Sequence, residues 1–289
     1  MKAAFASFQQ VHGRVAAWSM VALALLLPLL PALVPLLMVV SVLALIVKHR
    51  VWRNAGSSSS RWAPAMWLPL LLYVLYIIGL AWSANFHYGF FDLQIKLPLA
   101  LFPLIFLRLP KEAREGGDVL LVSFIAGNVV AVLACCIMVP VHALSAGGDW
   151  AAAVFGNDFS LFLHPSYFAM YLCFALAVTL LLKPVSEVRA SLRLLVVIIL
   201  CLGTVLCGSK AGWACLPVVL FAVLIMRWKD RSLRRMVVAL MAATVLGVAM
   251  LTAASVNVRQ RVMEAWHAVA SPKDHADATT SSEERKLVW

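Results

Sequence analysis

The chain has 289 residues, 63% of them hydrophobic and only 13% charged, with a formal charge of +11. Soluble domains average about 25% charged and about 45–50% apolar residues, so this composition excludes an ordinary soluble domain and points to an all-α, polytopic transmembrane helical bundle. In a soluble protein the positive balance would suggest nucleic acid. Here the basic residues fall in short loops between apolar runs, where membrane topology accounts for them, and no nucleic-acid partner is expected.

In chain order, a short polar head with Lys2 and Arg14 leads into an apolar run over 15–47. That run exceeds one crossing of about 20 residues, and Pro28, Pro31 and Pro35 interrupt it. Proline removes a backbone donor and clashes with the preceding turn, so two spans are expected, about 15–29 and 32–48. A basic, serine-rich loop over 48–62 follows. The third span is 66–84, with Trp67 and Trp82 as interface anchors. Residues 85–96 hold Phe86, His87, Tyr88, Phe90 and Phe91 beside Asp92 and Lys96, which suits a segment lying in the interface. Residues 97–107 complete a fourth span.

The fifth span is 119–141, the sixth 164–182, and a loop without lysine or arginine lies between them. The seventh and eighth flank the stretch LGTVLCGSKAGW, Leu202–Trp213, read as a helix–turn–helix. Gly208 and Gly212 permit a tight turn, and Lys210 is presented at its tip; a lysine near a membrane is costly unless it faces water, a partner or an anionic ligand. The RWKDRSLRR loop, Arg227–Arg235, precedes the ninth span, 236–254. Residues 1–254 thus form the transmembrane domain, and 255–289 a polar tail.

Seventeen of the 24 lysines and arginines fall on one side if the N-terminus is cytoplasmic, as the positive-inside rule requires. Lys96, Lys210, Arg259, Arg261, Lys273, Arg285 and Lys286 are then left on the outer side, with the tail. In that tail Val258, Val262, Trp266 and Val269 form one helical stripe flanked by Arg259 and Arg261, the pattern of a helix lying on a membrane with arginines at headgroup depth. Such arginines can hold phosphate oxygens bidentately. Ser281-Ser282-Glu283-Glu284 matches a capping box, but the chain stops at Trp289, about two helical turns later. It is therefore expected to be a C-terminally truncated portion of a longer protein.

His164 opens the sixth span, and Pro165 suits its first turn. A histidine there could take a proton from a hydroxyl, which makes His164 the candidate catalytic residue; the alternative is a hydrogen-bonded interface histidine. The six cysteines lie in apolar runs without metal-ligand spacing, and there is neither a phosphate-binding glycine loop nor a nucleophile elbow. No metal and no cofactor is expected.

Four stretches carry a family resemblance: Phe91-Asp92-Leu93-Gln94-Ile95-Lys96-Leu97 with Pro103-Leu104; Leu163-His164-Pro165-Ser166-Tyr167-Phe168 through Leu172; Gly208-Ser209-Lys210-Ala211-Gly212-Trp213; and Glu284-Arg285-Lys286-Leu287-Val288-Trp289. From about Ala81 onward the chain resembles the O-antigen ligase and O-antigen polymerase superfamily of bacterial inner-membrane proteins. The resemblance implies a metal-independent, all-helical glycosyltransferase of the inner membrane. It would take a glycan from undecaprenyl diphosphate at the periplasmic face and pass it to lipid A-core or another acceptor. Lys210 stands where the family commonly has a diphosphate-binding arginine, and Arg285 matches the arginine of its large periplasmic loop. The family's proposed general-base histidine and further spans lie beyond Trp289. Diphosphate binding by Lys210, Arg285, Arg259 and Arg261 is the resulting expectation, with membrane lipids as further partners. The alternatives are an O-antigen polymerase, a lipid or polysaccharide transporter, or a non-catalytic remnant. Transporters usually carry charge at mid-membrane depth, whereas the ionisable residues here sit at span boundaries.

Overall fold

The computed structural model describes residues 2–50, 63–83, 85–109, 117–145, 154, 156, 158–182 and 190–254. These residues are all-helical, without a strand. Four helical stretches among them are long and apolar enough to cross a membrane: Pro31–His49, Ala65–Trp82, Phe86–Arg108 and Asp118–Ser145. Shorter apolar helices are Arg14–Leu26, Pro165–Leu181, Ala190–Leu206 and Lys210–Met226. The chain divides into two compact units, Met1–Leu26 with Ala32–Ser123, and Leu27–Pro31 with Phe124–Trp289.

In the first unit α1 (Lys2–His12) and α2 (Arg14–Leu26) are separated by Gly13 at φ +83°, a left-handed conformation that glycine adopts without steric cost. After the proline-rich turn, α3 (Val34–His49) starts with Pro35 in its first turn, where the missing N–H costs nothing. Arg50 closes α3 with a left-handed φ of 45°. Ala16 of α2 packs with Val42 and Leu45 of α3, and with Ile105 and Leu109 at the end of α6 (Pro98–Arg108). The small alanine side chain lets the backbones approach closely, which is how helices associate where lipid supplies no hydrophobic drive.

The same unit holds α4 (Ala63–Gly79) and α5 (Phe86–Lys96). Asn85 caps α5 by accepting from the Tyr88 N–H at 3.0 Å. Lys96 pairs with Asp92 one turn earlier and lies 4.0 Å from the Tyr76 ring centroid. The interface reading of 85–96 is modified here. α5 and α6 follow one another with only Leu97 between them, and together, as Phe86–Arg108, they are long and apolar enough to cross.

In the second unit α7 (Asp118–Ser145, from Phe124 on) lies with α8 (Pro165–Leu181), α9 (Ala190–Leu206), α10 (Lys210–Met226) and α11 (Arg231–Ala254). α7 runs past the expected end at Val141, carrying His142 and Ser145 on its last turn. Leu172 and Leu176 of α8, Val197 and Leu200 of α9, and Leu216 and Leu220 of α10 are fully buried. Glycines set the helix spacing. A Cβ on Gly203 would come within 2.6 Å of the Val132 side chain, and one on Gly212 within 2.5 Å of the Ala169 Cβ, so Val132 of α7 fits against α9 where it has no side chain, and α10 meets α8 nearly backbone to backbone.

Arg193 lies inside α9 and closes α8. Its Nε donates to the Thr179 carbonyl at 3.0 Å, and its Nη2 to the carbonyls of Leu180 at 2.9 Å and Leu182 at 3.2 Å. The last carbonyls of a helix have no partner within it, and a guanidinium with several forked donors can satisfy more than one of them. At the same end of the unit Asp230 caps α11, its Oδ1 accepting from the Leu233 N–H at 3.1 Å.

Candidate functional site

α8 and α9 run antiparallel, and so do α9 and α10. Arg193 at the start of α9 holds the end of α8, while the Trp213 Nε1 of α10 donates to the Val205 carbonyl at the end of α9 at 3.2 Å. α8 and α10 are therefore parallel, with their N-termini at the same end. That end gathers the chemistry of the two motifs that the sequence singled out.

The helix–turn–helix read at 202–213 is present. α9 ends at Leu206, and Gly208, at φ +58°, turns the chain into Ser209. Ser209 is extended and caps α10, its Oγ accepting from the Gly212 N–H at 3.3 Å. Serine at this position satisfies one of the orphan donors of the first turn. Ser209 is 95% buried, because only 5% of its surface is accessible, and its Oγ donates to the Ser166 Oγ at 3.2 Å. Lys210 is the first residue of α10 and is half-buried.

His164 is the cap of α8. It is exposed, and its Nδ1 accepts from the Ser166 N–H at 3.3 Å. That bond commits Nδ1 to the helix end. In the neutral tautomer that accepts this bond the proton sits on Nε2. The exposed Tyr167 ring stands edge-on to the imidazole, with centroids 6.1 Å apart.

The segment leading to His164 is held at three points. The Gly156 N–H donates to the Leu206 carbonyl at 3.0 Å, the His142 Nδ1 lies 2.9 Å from the Asp158 carbonyl, and the Ser160 Oγ donates to the Leu163 carbonyl at 2.6 Å. Phe159 beneath it is fully buried. The ends of α7 and α9 and the starts of α8 and α10 thus form one platform. His142, Ser166 and Ser209 belong to it without having been singled out as site residues. A serine directly before a lysine at a turn was the available signal for Ser209; His142 gave none, since it follows Pro140 in a run that reads as apolar.

Each helix start carries the positive end of a backbone macrodipole, equivalent to about half an elementary charge. Two of them side by side, with the Lys210 ammonium on one and the His164 imidazole on the other, make an electropositive end suited to an anion. Among the described residues no group of three or more His, Cys, Asp and Glu could hold a metal ion. The six cysteines are free thiols, buried or half-buried. Arg259, Arg261 and Arg285, the other predicted phosphate-binding residues, and the apolar stripe from Val258 to Val269 lie outside the described residues. No family model, curated protein or solved structure matches the chain.

Proposed function

We propose that this chain is a membrane glycosyltransferase of the O-antigen ligase kind. It would move a glycan from an undecaprenyl-diphosphate carrier to lipid A-core, or another acceptor, at the periplasmic face of a bacterial inner membrane. Nine spans with a cytoplasmic N-terminus would put the paired starts of α8 and α10 on the periplasmic side, together with the tail.

Its chief support is the contact between Ser166 and Ser209, which joins the two helix starts and sets His164 and Lys210 at one end of the bundle. In glycan transfer an acceptor hydroxyl oxygen bonds to the anomeric carbon and the bond from that carbon to the diphosphate oxygen breaks. The diphosphate leaves with the electron pair and the hydroxyl proton is released. Negative charge therefore grows on the leaving group, and donors preorganised at that charge lower the barrier. Lys210, the Nε2–H of His164 and the two helix dipoles would supply such stabilisation. Arg259, Arg261 and Arg285 would add cations from the tail. Lysine in place of arginine keeps the charge and loses the bidentate fork.

The test is glycan transfer by the protein in membranes supplied with lipid-linked donor and lipid A-core. Lys210→Ala is expected to lower the rate about 100-fold or more, as loss of one oxyanion-type donor commonly does, and Lys210→Arg to retain most of it. Wild-type rates from Lys210→Ala would refute the role. Elongation of the lipid-linked glycan without transfer to lipid A-core would reassign the activity to the polymerase.

A further inference from the structure

Residues 1–50 carry Lys2, Arg14, Lys48 and Arg50 and no Asp or Glu at all. Two of these cations border a groove of about 510 Å³ where the start of α2 runs beside the end of α3. Arg14 and Lys48 stand at one end, both exposed, and the walls are apolar, among them Val15, Leu43 and Val47. All three of those wall residues are more than half exposed. The Lys48 stem lies along Gly13, with its Cδ 3.6 Å from where a Cβ would be.

His12 also lines this groove. Its side chain is 97% buried, with 3% accessible, yet neither ring nitrogen has a hydrogen-bond partner. It is held by rings alone, Phe8 at 4.3 Å and His49 at 5.4 Å between centroids. Both nitrogens are closed off from the groove, so its polar contacts fall to Arg14 and Lys48. Pro31–His49 is one of the helices able to cross a membrane, which sets the Lys48 end of the groove at a membrane edge.

We infer that this groove is a binding site for an anionic phospholipid, its phosphate held by Arg14 and Lys48 and one acyl chain laid along Val15, Leu43 and Val47. The uncompensated positive charge selects an anionic headgroup, and the apolar walls require a lipid rather than a free phosphate.

Native mass spectrometry of the purified chain, titrated with phosphatidylglycerol, phosphatidylcholine or inorganic phosphate, tests this. Phosphatidylglycerol is expected to bind about tenfold more tightly than phosphatidylcholine, and Arg14→Gln with Lys48→Gln to abolish that preference. Each single substitution should remove part of it, which keeps the test informative if the double variant does not fold. Arg231→Gln with Arg235→Gln, at the start of α11, removes the same charge elsewhere and should leave the preference intact. An equal loss in that control would make the preference bulk electrostatics and overturn the site. So would full competition by millimolar inorganic phosphate, or equal affinity for the two lipids.

Discussion

The Oγ of Ser209 donates to the Oγ of Ser166 at 3.2 Å across 43 residues of chain, while accepting from the N–H of Gly212. One buried hydroxyl thus caps α10 and ties it to the start of α8. Ser209→Ala removes both functions and is expected to cost about 1–2 kcal/mol. Ser209→Thr keeps the hydroxyl and should recover most of that. Thermal unfolding in detergent, followed by circular dichroism, reads the difference; equal midpoints for serine and alanine would show that the hydroxyl holds nothing.

The approach of α10 to α8 depends on Gly212 having no side chain. A Cβ there would lie 2.5 Å from that of Ala169, a distance at which something must shift. Gly212→Leu should therefore destabilise the second unit by about 1–3 kcal/mol or more, as overpacking does. A Cβ on Gly247 in α11 would meet nothing within 4 Å, and Gly247→Ala should be neutral or stabilise by about 0.5–1 kcal/mol through helix propensity. Comparing the two midpoints separates packing from backbone effects.

Arg193 closes α8 by three hydrogen bonds to carbonyls of its last turn and of Leu182. Arg193→Met keeps much of the side-chain volume and removes every donor. It is expected to cost about 1.5–3 kcal/mol, the range for hydrogen bonds to a charged group. Arg193→Lys should recover only a part, since one ammonium cannot reproduce the fork. Full stability of the methionine variant would mean that water serves these carbonyls equally well.

His12 is buried against Phe8 and His49, and burial first, then the neighbouring His49, lowers its pKa from 6.5 to about 4. The charged groups around it, Arg14 and Lys48, are cations too. The unfolded chain takes up a proton near 6.5 and the native one only near 4, so the unfolded state binds more protons between those values. Stability of the first unit must then fall as pH drops from about 6.5 to about 4, and stay flat above that window. In detergent free of anionic lipid, His12→Gln should weaken the slope across that window. An unchanged slope would assign it to other groups.

The helix–turn–helix at Leu202–Trp213 was legible because two apolar runs are parted by glycines and a serine, whose local preferences are strong enough to end one helix and cap the next. The break at Pro28, Pro31 and Pro35 was legible for the same reason. Arg193 was not, because a cation that caps a neighbouring helix has the same sequence signature as one that sets topology. Nor was the placing of His164 and Lys210 at the same end of the bundle: it follows from the parallel packing of α8 and α10, which Gly212 and Ala169 permit and no local pattern encodes. At His164 the sequence suggested a proton acceptor, and the structure adds that its Nδ1 accepts the capping bond from the Ser166 N–H.

The central claim is that the paired starts of α8 and α10 hold a lipid-linked diphosphate. Its most direct measurement is the affinity of this chain for undecaprenyl diphosphate, for wild type and Lys210→Ala, with retained helical content as the folding control. Binding about 10- to 100-fold weaker in the variant is expected, the range of one charge-assisted hydrogen bond to a phosphate oxygen. Equal affinity in the two proteins would contradict the site.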